Sequence, residues 1–214
     1  MKATIASLIF LLLSLAVSSQ TYKYIGIEEG LSNQKIYRIQ KDARGYMWFL
    51  THVGIDRYNG KEIKHYKLKE GDRELDPLLN INWTYLDKTG TLLVTGKQGR
   101  IFRYDSGHDR FVQIYSMYNY WNKDYHAFVR YSYIDQESNV WLCDKSAIHL
   151  FNIESGQKQR ISNRLGNITC IEQINSEHFF IGTDKRIYLV KLENGNLKEL
   201  SCGKLEMMDM HVHE

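Results

Sequence analysis

The chain has 214 residues, a formal net charge of +3, one proline and three cysteines. Its lysines and arginines are spread along the sequence instead of forming a run, so the composition does not indicate a nucleic-acid-binding protein. Three cysteines allow at most one disulfide, which excludes a disulfide framework, and buried free thiols fit their positions equally well.

The first 19 residues have the pattern of a signal peptide. Lys2 provides a positive start, residues 8–13 and 15–17 are apolar, and small residues up to Ser19 offer a cleavage site. The apolar run falls short of the about 20 residues that a membrane-spanning helix needs, although an uncleaved anchor remains the alternative. The sequence therefore predicts a signal peptide at 1–19 and an exported product at 20–214.

The clearest strand pattern lies between residues 35 and 68. Four segments of strand-like composition are separated by short polar or glycine-containing turns: 35–41, 46–51, 55–58 and 62–68. The dipeptide Asn59-Gly60, between the last two segments, predicts a type I′ turn. This unit predicts a four-stranded antiparallel sheet.

The same unit recurs along the chain. Its first turn begins at Asp42, Asp87, Asp135 and Asn175, which are 45, 48 and 40 residues apart. Four-stranded units at a period of about 40–50 residues are typical of β-propeller blades, whereas unrelated hairpins of a sandwich would not repeat the order of turns. The sequence predicts an all-β propeller with about four blades, at residues 35–68, 80–115, 127–162 and 167–201.

Equivalent positions of the repeat predict shared structural roles. One position in the second strand of each unit is expected to pack between blades: Trp48, Leu93, Trp141 and Phe180. The acids that begin the turns are expected to accept hydrogen bonds from backbone amides of those turns. Residues 22–27 precede the first unit and predict a strand that closes the ring, and residues 205–214 predict the first strand of a fifth blade.

The first unit resembles the two-component regulator propeller repeat. The resemblance rests on Gly30-Leu31-Ser32 followed by Asp42-x-x-Gly45-x-x-Trp48-x-x-Thr51-x-x-Gly54-x-x-Arg57-Tyr58-Asn59-Gly60. It covers about residues 22–214 and fades toward the fourth copy. It implies the periplasmic sensor of a hybrid two-component histidine kinase of Bacteroides-like bacteria, in which seven-bladed propellers precede a membrane span and a kinase. The four units would then be the N-terminal part of a seven-bladed ring.

The resemblance also implies a function. The protein would sense an oligosaccharide in the periplasm without catalysis or a cofactor, and the full-length protein would lie in the inner membrane. Its partners would be the remaining blades, a second propeller or a second copy in a homodimer. The alternative is an exported propeller enzyme acting on glycans, a lyase or glycosidase, but the sequence contains no identifiable set of acid and base residues for it.

Residues 115–126 form an aromatic segment that the repeat does not explain. Flat aromatic rings beside polar side chains are suited to stacking on sugars and bonding their hydroxyls. The candidate ligand-binding residues are Tyr118, Tyr120, Trp121, Asp124 and Tyr125. Alternatively, these residues cover the gap between two blades. The equivalent connection at 69–79 is expected to be a solvated charged loop.

Three possible metal ligands alternate near the end of the sequence, at Asp209, His211 and His213. Alternate residues of a strand share a face, but no fourth ligand can be assigned, and a polar lining of the propeller channel explains the pattern as well. The sequence therefore predicts no metal site.

Overall fold

The structure is a computed structural model that describes residues 22–118 and 128–204. Four antiparallel sheets of four strands follow one another along these residues, which confirms the predicted all-β propeller-type fold. The predicted signal peptide at 1–19 and the predicted strand at 205–214 lie outside the described residues. No helix in 22–118 or 128–204 is long and apolar enough to cross a membrane.

Each sheet is one blade, and its strands pair in chain order. Blade 1 contains β1 (Ile36–Lys41), β2 (Met47–Thr51), β3 (Ile55–Tyr58) and β4 (Ile63–Tyr66). A small hairpin follows, formed by β5 (Lys69–Glu70) and β6 (Arg73–Glu74), and then a one-turn helix, α1 (Pro77–Asn80). Blade 2 contains β7 (Trp83–Leu86), β8 (Leu92–Thr95), β9 (Arg100–Asp105) and β10 (Arg110–Ser116).

The other two blades repeat this order. Blade 3 contains β11 (Tyr131–Ile134), β12 (Asn139–Cys143), β13 (Ala147–Asn152) and β14 (Lys158–Ser162). Blade 4 contains β15 (Ile168–Gln173), β16 (His178–Thr183), β17 (Arg186–Glu193) and β18 (Asn196–Lys204). Because the strands alternate in direction, the turns between second and third strands lie at the same end of the blades as the connections to the next blade. We call this end the connection face.

The core lies between the blades. Alternate residues of a strand point to opposite faces, so each blade offers one apolar face to the preceding blade and another to the following one. Blades 1 and 2 share a buried cluster that includes Trp48, Leu50, Leu92 and Phe102. Blades 2 and 3 pack through Ile101, Tyr115, Val140 and Phe151. Blades 3 and 4 pack through Trp141, Ile148, Phe179 and Val190.

The turn acids bond to their own hairpins as predicted, and they also hold the tryptophans. Asp42 Oδ1 accepts hydrogen bonds from the backbone amides of Arg44 and Tyr46, and its Oδ2 accepts one from Trp48 Nε1 at 2.8 Å. Asp135 repeats this arrangement, with Trp141 Nε1 at 2.8 Å from its Oδ2. Each carboxylate therefore joins a turn to a tryptophan that is fully buried between two blades.

Blades 2 and 4 lack this bond. In blade 2, Leu93 replaces the tryptophan and is buried, and the second oxygen of Asp87 forms an ion pair with Arg103 at 2.5 Å. In blade 4, the side chain of Phe180 is 46% exposed because no described blade covers its face, so its packing between blades stays a prediction. Phe180 lies on the face of blade 4 that points away from blade 3, and its neighbour Phe179 packs on Trp141 instead, with ring centroids 4.7 Å apart.

Two further expectations differ from the structure. Residues 22–27 form no strand and pair with none of the four described sheets, so ring closure by this segment stays a prediction. The turn at Asn59 is not of type I′, because that turn needs two residues with positive φ and only Gly60 has one, at 95°. The side chain of Asn59 instead accepts hydrogen bonds from the amides of Lys61 and Glu62.

The connection from blade 1 to blade 2 is more ordered than the solvated loop that its charges predicted. Leu68, Leu75 and Ile81 are buried and anchor it on the blades. Asp76 caps helix α1 by accepting a hydrogen bond from the amide of Leu78, next to a proline at the first helical position. Apolar anchors and a capped helix thus fix a segment that looks hydrophilic in sequence.

Candidate ligand-binding face

Three blade-to-blade connections lie on the connection face. They span residues 67–82, 117–130 and 163–167, of which 119–127 lie outside the described residues. Long connections on a rigid scaffold are common places for binding residues. Of the predicted ligand-binding residues, Tyr118 is described and half-buried, while Tyr120, Trp121, Asp124 and Tyr125 lie outside the described residues.

Tyr118 rests on a buried arginine that sequence reasoning missed. The guanidinium of Arg100 lies 5.2 Å from the centroid of the Tyr118 ring, and the Arg100 residue is only 7% exposed. Arg100 donates hydrogen bonds to Gln98 at 2.6 Å and to Asn80 at 3.3 Å, and it forms an ion pair with Glu70 at 3.3 Å. Nothing in the sequence distinguishes this arginine from those on the surface, because its partners come from three separate segments.

Arg100 therefore joins two connections. Glu70 belongs to hairpin β5–β6 and Asn80 to helix α1, whereas Tyr118 belongs to the aromatic segment. A cation held against an aromatic face contributes more when water is excluded, as it is at this nearly buried position. The arrangement gives the aromatic segment a fixed origin on blade 2.

A cleft opens at the same face between blades 3 and 4. Its volume is about 650 Å³, within the range of roughly 300–1,000 Å³ usual for small-molecule sites. Leu165 and Tyr188 supply apolar surface, and Asp184 is the one carboxylate in the lining. Five cationic side chains line the cleft: Arg130, Lys145, Arg164, Lys185 and Arg186.

These cations have few partners. Within residues 22–118 and 128–204, none of the five forms an ion pair, and Arg186 alone among them donates a side-chain hydrogen bond, to Cys202 Sγ at 3.8 Å. The side-chain oxygen of Asn167, also in the lining, is buried and accepts no hydrogen bond from the described part of the chain. The cleft therefore holds a cluster of positive charges that the described protein leaves uncompensated.

A second charged cluster lies at the opposite end of blades 1 and 2, and its charges are compensated. The Arg57 guanidinium stacks on the rings of Tyr46 and Tyr66 and forms an ion pair with Asp109 at 2.8 Å. Burial opposes ionisation of Asp109, but hydrogen bonds from Lys64, Tyr104 and Tyr66, with the charge of Arg57, hold the pKa of this carboxyl well below its usual range. This cluster is a structural link between blades.

The described residues give no support to the enzyme or metal interpretations. No group of three potential metal ligands occurs in the described ranges, and Asp209, His211 and His213 lie outside them. A glycosidase uses two carboxyl groups that flank the scissile bond, and the blade 3–blade 4 cleft has only Asp184. All three cysteines are free thiols, and burial raises the pKa of Cys143.

A family profile described as "Two component regulator propeller" matches residues 30–52. The match overlaps the first unit of the repeat. The matched residues run from the turn before β1 to the end of β2 and contain Asp42 and Trp48, the pair that joins turn and core. No curated protein matches the chain.

Two solved structures share the propeller fold. The extracellular domain assigned to the hybrid two component system BT3049 from B. thetaiotaomicron matches with 17% identity and a TM-score of 0.63, over 84% of this chain and 26% of that chain. PorZ, described as a bacterial surface component of the type-IX secretion system of Porphyromonas gingivalis, matches with 14% identity and a TM-score of 0.57, over 84% of this chain and 24% of that chain. The chain thus spans about a quarter of the length of each.

Proposed function

We propose that this protein is part of the periplasmic ligand-sensing propeller of a hybrid two-component signalling protein, and that its ligand is an oligosaccharide. The observation that carries the proposal is the propeller-regulator repeat at residues 30–52. The fold by itself does not distinguish between functions, because propellers serve many of them. The extracellular domain of a two component system and a component of a secretion system both resemble this chain.

The connection face supports the proposal. Tyr118 of the aromatic segment rests on Arg100 at this face. Arg130, which follows the segment in sequence, lines the cleft between blades 3 and 4. Aromatic rings beside charged and amide groups are the combination that sugar recognition uses.

Signalling requires that ligand binding favours one arrangement of the whole protein. In the proposed mechanism, an oligosaccharide on the connection face binds one arrangement of propellers or protomers more tightly than another, and the shift in population reaches a kinase across the membrane. Remaining blades, a second propeller or a second protomer would supply the surfaces that rearrange. Phe180, Ile187 and Leu200 are partly exposed on blade 4 and are available for such packing.

Calorimetric titration with oligosaccharide pools tests the proposal. Replacing Tyr120 and Trp121 with alanine should weaken binding by about 1–3 kcal/mol while leaving the melting temperature nearly unchanged, because under this proposal the two rings contribute to ligand binding and not to the core. Tyr24→Ala is the matched control, since it removes a ring that is 75% exposed, next to Lys23 at the opposite end of blade 1. Unchanged affinity with lowered stability would assign the aromatic segment to packing between blades.

A further inference from the structure

We propose that the cleft between blades 3 and 4 binds the acidic groups of an anionic oligosaccharide, that is, carboxylate or sulfate groups carried on sugar rings. The inference rests on the proposed function in taking the ligand to be an oligosaccharide, and it adds the chemical class of that ligand. It follows from the number, pairing and support of the cations in the cleft.

The charged side chains that line the cleft are mostly positive. Five cations face a single carboxylate, and no ion pair within the described ranges reduces their charge. A cleft lined by one sign of charge raises the local concentration of counter-ions and steers charged ligands into it. Mutual repulsion of the cations is unfavourable for the folded protein alone, and an anionic ligand would remove that cost.

The side chains match oxyanions in geometry. Arg130, Arg164 and Arg186 each present a planar fork of N–H donors, which pairs with two oxygens of a carboxylate or sulfate at once. Lys145 and Lys185 add donors that adapt in direction. Leu165 and Tyr188 supply apolar surface beside these donors, against which a sugar ring can lie. The lining therefore suits acidic groups that are carried on sugar rings.

The backbone that carries these cations is held rigidly. Asn163 fixes the connection of Arg164, because its Oδ1 accepts a hydrogen bond from the amide of Leu165 and its Nδ2 donates to the carbonyls of Asp144 and Gly166. The connection is also tied to the next turn by a hydrogen bond from the amide of Asp184 to the carbonyl of Asn167.

The two turns that supply lysines are closed in the same way. Asp144 Oδ1 accepts hydrogen bonds from the amides of Ser146 and Ala147, which flank Lys145 on its C-terminal side. Thr183 Oγ1 accepts from the amides of Lys185 and Arg186. A fixed backbone lowers the entropy lost on binding, so the attachment points of the cations are organised before the ligand arrives.

Titration of the purified protein with three tetrasaccharides tests the inference. The probes are an oligogalacturonate, which carries carboxylates, a chondroitin sulfate fragment, which carries both carboxylates and sulfates, and neutral cellotetraose. We expect at least one acidic probe to bind about tenfold or more tightly than cellotetraose, and its affinity to fall as ionic strength rises from about 0.1 to 1 M. The ratio between the acidic probes distinguishes carboxylate from sulfate recognition.

Two variants locate the site. Arg164→Glu should weaken binding of the acidic probe about tenfold or more, because it replaces a charged donor with a repelling acceptor. Lys61→Glu makes the same change in charge at an exposed turn on the opposite end of blade 1 and should leave the affinity within about twofold. Melting curves of both variants identify any loss that arises from unfolding, and Lys185→Gln provides a second, milder variant of the cleft.

Each outcome decides the inference separately from the proposed function. Failure of both acidic probes to bind, equal loss in Arg164→Glu and Lys61→Glu, or no loss in either cleft variant would overturn the acidic-ligand inference. If cellotetraose binds in those cases, the proposed sensing of oligosaccharides stands with a neutral ligand. If no oligosaccharide binds in the screen of pools described above, the proposed function fails as well.

Discussion

The connections after blade 1 and after blade 3 occupy the same place in the repeat but differ in whether their charged side chains form ion pairs. The first, residues 67–82, pairs its charges internally, with Lys67 on Glu74 at 2.7 Å and Arg73 on Glu70 at 2.8 Å. The second, residues 163–167, carries Arg164 into a cleft of unpaired cations. Both are fixed to their blades by hydrogen bonds, so the difference lies in pairing and not in order.

The comparison teaches that the number of charged residues is a poor guide to function. The first connection has more charges in sequence, and the structure uses them to fold a hairpin and to hold Arg100. The second has a single arginine, and its cleft gathers the remaining cations from three other segments. If the cleft binds the proposed ligand, the charge that the protein leaves unpaired in space distinguishes the binding surface.

The largest expected loss of stability comes from a substitution in the blade that supports the second connection. Trp141→Ala should lower the free energy of unfolding by about 3–5 kcal/mol, because the indole is fully buried between blades 3 and 4 and bonds to Asp135. The cleft should be lost with it. Phe180→Ala, at the equivalent position but 46% exposed, should cost less than about 1 kcal/mol. Chemical denaturation measures both, and equal losses would mean that Phe180 is covered in the protein.

A smaller effect separates the two connections directly. Arg100→Ala should destabilise the protein by about 1–3 kcal/mol, since it removes the donor to the side-chain oxygen of Asn80 and one of the two donors to Gln98 and to Glu70. Arg164→Ala, which removes an exposed side chain without partners, should change the stability by less than about 0.5 kcal/mol. Urea denaturation of the two variants, compared with the wild type, measures the difference. Similar values for both would contradict the distinction between a structural and a free cation.

The smallest expected effect is a change in how the stability of the protein depends on pH under acidic conditions. The folded pKa of Asp109 lies below its unfolded value of about 3.9, so its contribution to stability is complete above that pH and is lost as pH falls toward the folded pKa. Asp109→Asn should therefore lower stability near neutral pH and reduce the loss of stability on acidification below about pH 4. Asparagine also tolerates the φ of 50° at this position.

Wild type and Asp109→Asn are compared over the same pH range. The measurement is the midpoint of thermal unfolding between about pH 2 and 7. If Asp109→Asn loses as much stability on acidification as the wild type, carboxylates other than Asp109 are responsible for that loss.

Much of the fold could be predicted because each repeat is recognisable from patterns of residues that are close together in sequence. Turn residues, strand alternation and the spacing of Asp42, Asp87 and Asp135 are all features of neighbouring residues, and they define four-stranded units without knowledge of contacts. The exposure of Phe180 could not be predicted in this way, because burial of that face depends on which blade covers it. The type of the turn at Asn59 could not be predicted for a different reason: more than one type of turn accepts the dipeptide Asn-Gly.

The candidate site was much harder to predict. The aromatic segment was visible as a departure from the repeat, but Arg100 acquires its partners from residues 70, 80, 98 and 118, which only the fold brings together. The cations of the cleft were spread evenly along the sequence, and for that reason they gave no signal. Blade packing collects them because each comes from a turn or connection at the same end of its blade.

The bond between a turn aspartate and a tryptophan six residues later also bears on how the protein folds. Asp42 and Trp48, like Asp135 and Trp141, belong to one hairpin, so the loop that must close is short. Local contacts form early because little chain entropy is lost before they are made. Hairpins β1–β2 and β11–β12 are therefore suited to act as nuclei on which blades 2 and 4 assemble, and the order in which the blades acquire structure would follow the alternation of this bond along the chain.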